Sequence, residues 1–103
     1  MYRPKHLPKA IDDIFRIEDY LNEHSPTAAN EFTELVGKRV ECLMDLPYSC
    51  PAYERDPFFR KMVLGSYILF YSVDDKRELV VIHRIFHRAQ NIDQHMSEYQ
   101  ESI

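Results

Sequence analysis

Three prolines set the frame of this chain: Pro8, Pro26 and Pro47. Proline fits the first turn of a helix, where its missing N–H costs nothing, and it cannot continue a helix that reaches it. Between Pro8 and His24, Ile11, Ile14, Ile17 and Leu21 recur at helical spacing, with Phe15 beside them. They form one apolar stripe. Asp12, Asp13 and Asp19 lie off it and suit a solvated face, the first two near the positive end of the helix dipole. Glu18 falls inside the stripe's arc and needs a partner or a way out. Ser25-Pro26-Thr27 restarts the chain, Ser25 as N-cap and Pro26 in the first turn. A second helix then runs to about Leu46, with Ala29, Phe32, Val36, Val40 and Leu43 on a wide apolar face. The link between the two is so short that they must fold back as an antiparallel hairpin.

The remainder reads as sheet. Pro4 and Pro8 bracket Lys5-His6-Leu7, a short extended segment suited to a sheet edge. Residues 47–57 hold three prolines and no period, so they are a loop. Three strand candidates follow, at 58–64, 67–73 and 78–86, joined at Gly65-Ser66 and at Asp74-Asp75-Lys76-Arg77. A hairpin and a sheet each need a second layer, and each supplies the other's. The expected fold class is α+β: an N-terminal antiparallel helical hairpin packed on a three- to four-stranded antiparallel sheet.

At 103 residues one domain is expected, spanning 1–103, with a core over 7–92 and a C-terminal tail over 93–103. In that tail Ile92, Met96 and Tyr99 recur at helical spacing, so it either forms a short helix on the sheet or stays loose until a partner binds. No apolar run is long enough to span a bilayer, and Met1-Tyr2-Arg3-Pro4-Lys5-His6 has no apolar stretch behind it, as a secretory signal would. The expected compartment is the cytoplasm. Cys42 and Cys50 then read as reduced thiols, neither a disulfide framework nor a metal signature. The net charge is −4, but residues 57–92 carry Arg60, Lys61, Lys76, Arg77, Arg84 and Arg88 against Asp74, Asp75 and Glu78. A basic middle permits contact with an anionic surface, while the overall acidity argues against strong non-specific nucleic-acid binding.

Several phrases, in this order, resemble the RelE/ParE toxin family. Leu7-Pro8-Lys9-Ala10-Ile11-Asp12-Asp13-Ile14 opens the first helix and Ser25-Pro26-Thr27-Ala28-Ala29 the second. Gly65-Ser66-Tyr67-Ile68-Leu69-Phe70-Tyr71 and Ile82-His83-Arg84-Ile85-Phe86-His87 carry most of the weight. The resemblance covers residues 7–92. It implies the toxin of a type II toxin–antitoxin system, a growth inhibitor held inactive by a cognate antitoxin protein. Some members cleave mRNA on the ribosome; the ParE-like branch poisons DNA gyrase without being nucleases. The phrase from His83 to His87 looks closer to the ParE-like branch, and the acidic chain departs from the very basic chains of the ribosome-dependent one. Antitoxin binding implies an apolar groove that takes an amphipathic helix, extended by a strand added at a sheet edge.

A nuclease of this type uses no metal and no cofactor. It needs a base, an acid and cations for the developing phosphate charge. The candidates are His87, whose ordinary pKa lies near neutrality, Arg84 as phosphate clamp, and Arg60, Lys61 and Arg88 as further cations, with Tyr71 or Tyr99 in reserve. For contact with a protein target the candidates are Arg84, Arg88 and Tyr71. Plainer readings stand beside these. Arg60-Lys61 suits a solvated edge, and tyrosines at 48, 53, 67 and 71 suit packing. Strict alternation would put Ile82, Arg84 and Phe86 on one face of the last strand, with Val81, His83, Ile85 and His87 on the other. His83, His87 and His95 lack the pattern of a metal site.

Overall fold

The computed structural model describes residues 1–102. A short strand β1 (Arg3–His6) leads into helix α1 (Pro8–His24) and helix α2 (Pro26–Asp45). After a loop come β2 (Arg60–Leu64), β3 (Tyr67–Asp74) and β4 (Leu79–His87), then a C-terminal helix α3 (Ile92–Ser102). The proline boundaries hold: Pro8 and Pro26 sit in the first turns of their helices, and α2 ends two residues before Pro47. Ser25 caps α2, its Oγ accepting the Ala28 N–H at 3.3 Å. Glu18 finds its partner across the hairpin, accepting from the Thr33 hydroxyl at 2.5 Å.

The strand order is β1-β4-β3-β2. β2, β3 and β4 form the expected antiparallel meander, but β1 runs parallel to β4, so the sheet is mixed rather than antiparallel. The reason is topological. Two tight hairpins leave β4 inside with one open edge, and the chain reaches it from β1 only through a long crossover, which the helical hairpin supplies. The Gly65-Ser66 turn has Gly65 at φ 60°, a conformation glycine adopts without steric cost.

The sheet is covered on both faces. On one, Ile17, Phe32, Val36, Val40 and Leu43 of the helices meet Met62, Leu64, Leu69, Tyr71, Val80, Ile82 and Ile85. On the other, the tail folds as α3 and packs Met96 and Tyr99 on Phe59, Ile68, Phe70 and Phe86, with Tyr53 from the loop. Each of these large buried side chains contributes up to about 1.5–3 kcal/mol relative to exposure.

Asp13 departs most from its sequence reading. Neither it nor Asp12 falls in the first turn of α1, and Asp13 is 1% exposed. β1 ends opposite Ile82, and beyond that point α1 crosses the open edge of β4. There the Asp13 carboxylate accepts the Ile85 backbone N–H at 3.0 Å, Arg84 Nε at 2.7 Å and Arg84 Nη2 at 3.0 Å. Arg16 adds a contact at 2.6 Å. The carboxylate does for β4 what a neighbouring strand would otherwise do. Replacing it strands a partly buried guanidinium and a buried N–H. Asp13→Ala is therefore expected to lower unfolding free energy by about 3–5 kcal/mol. Exposed Asp12→Ala is expected to stay within about 0.5 kcal/mol of the parent. Urea denaturation followed by circular dichroism measures both; equal stability of the two variants would contradict the role given to Asp13.

Candidate functional site

The register of β4 decides where its polar residues go. Tyr71 pairs with Ile82 and Phe70 with Arg84, which leaves His83 as an extra residue in the strand. Such a bulge reverses the alternation beyond it. Ile82 and Ile85 both pack against the helices, while Phe86 packs under α3. The expected grouping of Ile82 with Phe86, and of His83 with Ile85, is overturned for this reason.

Arg84 and His87 remain apart. Arg84 opposes Phe70, and its guanidinium lies 4.6 Å from the Phe86 ring centroid while it bonds Asp13. His87 opposes Tyr67 and packs its ring edge-on at 5.2 Å, at the end of the sheet near the Gly65-Ser66 turn. Its Nδ1 accepts the Ala89 N–H at 3.0 Å, so Nε2 is the nitrogen left to face outward. Three residues of strand separate the two side chains, about 10 Å. Arg60 lies farther off, two strands across and four residues along, about 13 Å in strand length. It reaches the other way, donating to the Cys50 carbonyl at 2.6 Å and stacking over Tyr48 at 4.7 Å. Lys61 is half-buried beside it on β2, opposite Phe70.

Tyr71 is 0% exposed, and its hydroxyl donates to the Pro47 carbonyl at 2.8 Å. Burial pushes its phenol pKa up, as expected for a proton held by a carbonyl. It belongs to the core, not to a surface that a target could touch, which corrects the target-contact reading. Arg88 is exposed and stitches β4 to the hairpin turn, its backbone N–H donating to Ser66 at 2.8 Å and its guanidinium to Gly65 at 3.4 Å.

Two arrangements emerge. The first is an open groove of about 620 Å³ between α1 and the end of β3 and β4, lined by Arg16, Ile17, Tyr20, Leu21, Tyr67 and His87. Tyr20 is 59% exposed there, a large aromatic surface beside the Arg16 guanidinium and the His87 ring. Exposed aromatic and apolar side chains beside an arginine suit a protein segment better than a small substrate.

The second arrangement centres on His83, which sequence reading considered only for metal. It is 6% exposed, with Nδ1 2.6 Å from the Tyr99 hydroxyl and Nε2 2.9 Å from Ser72 Oγ. Burial raises the pKa of the Tyr99 phenol, so the hydroxyl stays protonated and the imidazole sits between two hydroxyls, one at each ring nitrogen. Phe59 closes on the ring at 4.9 Å. The signal that could have found this pair is the joint position of Tyr99 on a periodic apolar tail and His83 on a buried strand. His95 stacks on Phe86 at 5.3 Å instead of joining His83. Among the described residues no group of three or more His, Cys, Asp or Glu is placed to hold a metal ion.

Comparison with known proteins follows the same outline. Residues 5–92 match the family model described as the ParE toxin of the type II toxin–antitoxin system parDE. No match was found among curated proteins. Among solved structures, the fold is similar to a chain of the chromosomal ParDE toxin–antitoxin system from P. aeruginosa, with TM-score 0.69 and 21% identity over 84% of this chain and 96% of that one. It is similar to a chain of the RelBE2 toxin–antitoxin complex from Mycobacterium tuberculosis, with TM-score 0.61 and 22% identity over 84% and 98%. The isolated E. coli RelE toxin aligns over 100% of both chains, with TM-score 0.63 and 14% identity.

The His83 geometry also fixes a pH dependence. Burial lowers its pKa from 6.5 to about 4. The unfolded chain therefore takes up a proton below pH 6.5 that the folded chain refuses until pH 4. Stability is fully present above 6.5 and is lost as pH falls toward 4, by about 2–3 kcal/mol. In His83→Gln this loss should disappear from the pH 4–6.5 window of a thermal-denaturation series; an unchanged acid slope would refute the assignment.

Proposed function

The chain belongs to the ParE toxin family, the toxins of type II toxin–antitoxin systems, and we propose that it stops growth by binding DNA gyrase rather than by cleaving RNA. One observation carries this reading: the groups that a metal-free ribonuclease would bring together are engaged apart. Arg84 is committed to buried Asp13, Arg60 to the Cys50 carbonyl, and His87 stands at the far end of the sheet. The His83–Tyr99 pair is buried under α3. What the surface offers is a groove beside α1 with Tyr20 exposed and Arg16, Tyr67 and His87 in its lining. Such a surface binds a protein without needing a catalytic residue.

The whole chain then acts as one toxin domain in the cytoplasm, with α3 as part of it. A cognate antitoxin is the second partner, consistent with the ParDE and RelBE2 systems that share the fold. An amphipathic helix laid along the groove is the favoured mode. Strand addition at β2 has less room, because the Lys61 N–H donates to the Pro51 carbonyl and the Val63 carbonyl accepts from Arg39.

The test is tightly controlled expression, with a supercoiling assay on purified gyrase beside primer extension on messenger RNA. Expected are relaxed or cleaved plasmid and intact transcripts, with His87→Ala weakening the effect about tenfold by removing a groove contact. Transcript cleavage that vanishes in His87→Ala and Arg84→Ala, with gyrase untouched, would instead establish a RelE-like ribosome-dependent endoribonuclease. His87 is exposed, so its variant tests chemistry without loss of fold.

A further inference from the structure

A second concavity lies on the α3 side of the sheet, where β3 and β4 run into the Asp74–Glu78 turn. Its volume is about 480 Å³, within the range of small-ligand sites. The floor is Ser72 and His83, 5% and 6% exposed. Ser72 Oγ shares one hydrogen bond with His83 Nε2 at 2.9 Å, and the hydroxyl keeps further hydrogen-bonding capacity toward the cavity it lines. One wall is Phe58, 62% exposed, its ring centroid 6.1 Å from that of His83. The rim carries Lys5 from β1 and Lys76 and Arg77 from the turn.

Two carboxylates also line the cavity, but both are engaged. Asp74 accepts the Arg77 backbone N–H and guanidinium, each at 3.1 Å. Asp75 accepts the Tyr2 and Tyr48 hydroxyls, each at 2.5 Å, which also hold its carboxyl below the usual range. Asp75 keeps its negative charge and Asp74 is paired with Arg77, so Lys5 and Lys76 are the cations of the lining with no carboxylate bonded to them among the described residues, on a chain whose net charge is −4.

A flat exposed ring, two surface cations and a buried hydroxyl match a heterocyclic base joined to a phosphate. We propose that this cavity binds a nucleotide unit, its base stacked on Phe58, its phosphate between Lys5 and Lys76, and a polar edge on the Ser72 hydroxyl. The site is separate from the groove at His87 and does not depend on the choice of gyrase as target. One chemistry has two sources here: a free mononucleotide, or one residue of a single strand.

The test is NMR titration of the full chain with AMP, GMP, UMP, inorganic phosphate and a single-stranded trinucleotide. Expected are saturable shifts at Ser72, Lys76 and the His83 ring, weakened about tenfold in Phe58→Ala by loss of stacking. Lys5→Ala with Lys76→Ala should weaken binding similarly and flatten its salt dependence. These residues are exposed, and an unchanged melting temperature checks that each variant is folded. Tighter binding of the trinucleotide assigns the source to a strand, and equal or weaker binding to a free nucleotide; both support the site. Inorganic phosphate binding as tightly as nucleotide, affinity unchanged in Phe58→Ala, or no shift at Ser72 and His83 below roughly 10 mM ligand would overturn it.

Discussion

The Asp13 carboxylate is the joint on which the tertiary structure turns. Its two oxygens take a backbone N–H from β4 and the fork of Arg84, and Arg16 reaches one of them from the next turn of the same helix. A buried carboxylate is costly unless its lone pairs are filled, and here they are filled from two layers of the fold. The result fixes the angle at which α1 crosses the open edge of β4. It also places Arg84 between the helical layer and the aromatic layer, since the same guanidinium lies over Phe86 and within 5.8 Å of the Tyr99 ring centroid.

That joint explains why the polar residues of β4 do not gather into one site. The extra residue at His83 lets Arg84 wrap the sheet edge toward Asp13 while His83 drops beneath α3. A strand without the bulge would send its side chains strictly to alternate faces. With it, one six-residue phrase, Ile82 to His87, supplies the helical core, the α3 core, the edge clamp and the groove. The functional consequence is a division of surfaces: an aromatic groove with Arg16 and His87 on the helix side, and on the other a face mostly closed by α3, with an open cavity at its end.

α3 is held by more than its apolar stripe. Asp93 accepts the Tyr53 hydroxyl at 2.5 Å and pairs with Arg55 at 3.0 Å, and Gln100 bonds Asp56. Burial and that carboxylate push the Tyr53 phenol up to about 12. The proline-rich loop and the acidic tail thus hold each other across the aromatic layer, which gives both segments a definite place on the sheet.

Local rules were enough for much of this. Proline positions and the spacing of Ile14, Ile17 and Leu21, or of Phe32, Val36 and Val40, determined two helices and their hairpin, because periodicity and the missing proline N–H act within a few residues. The glycine at 65 and the β-branched, aromatic runs around it determined the meander in the same way. The family was legible from the order of these phrases. Only the tertiary structure decided that β1 runs parallel to β4, that Asp13 is buried, that Tyr71 is core and that His83 sits opposite Tyr99. Each of these depends on residues 16 to 76 positions apart in sequence meeting across layers. A lone aspartate reads as solvated and a strand reads as regular until the partner that pays its desolvation, or the neighbour that ends its ladder, is in place.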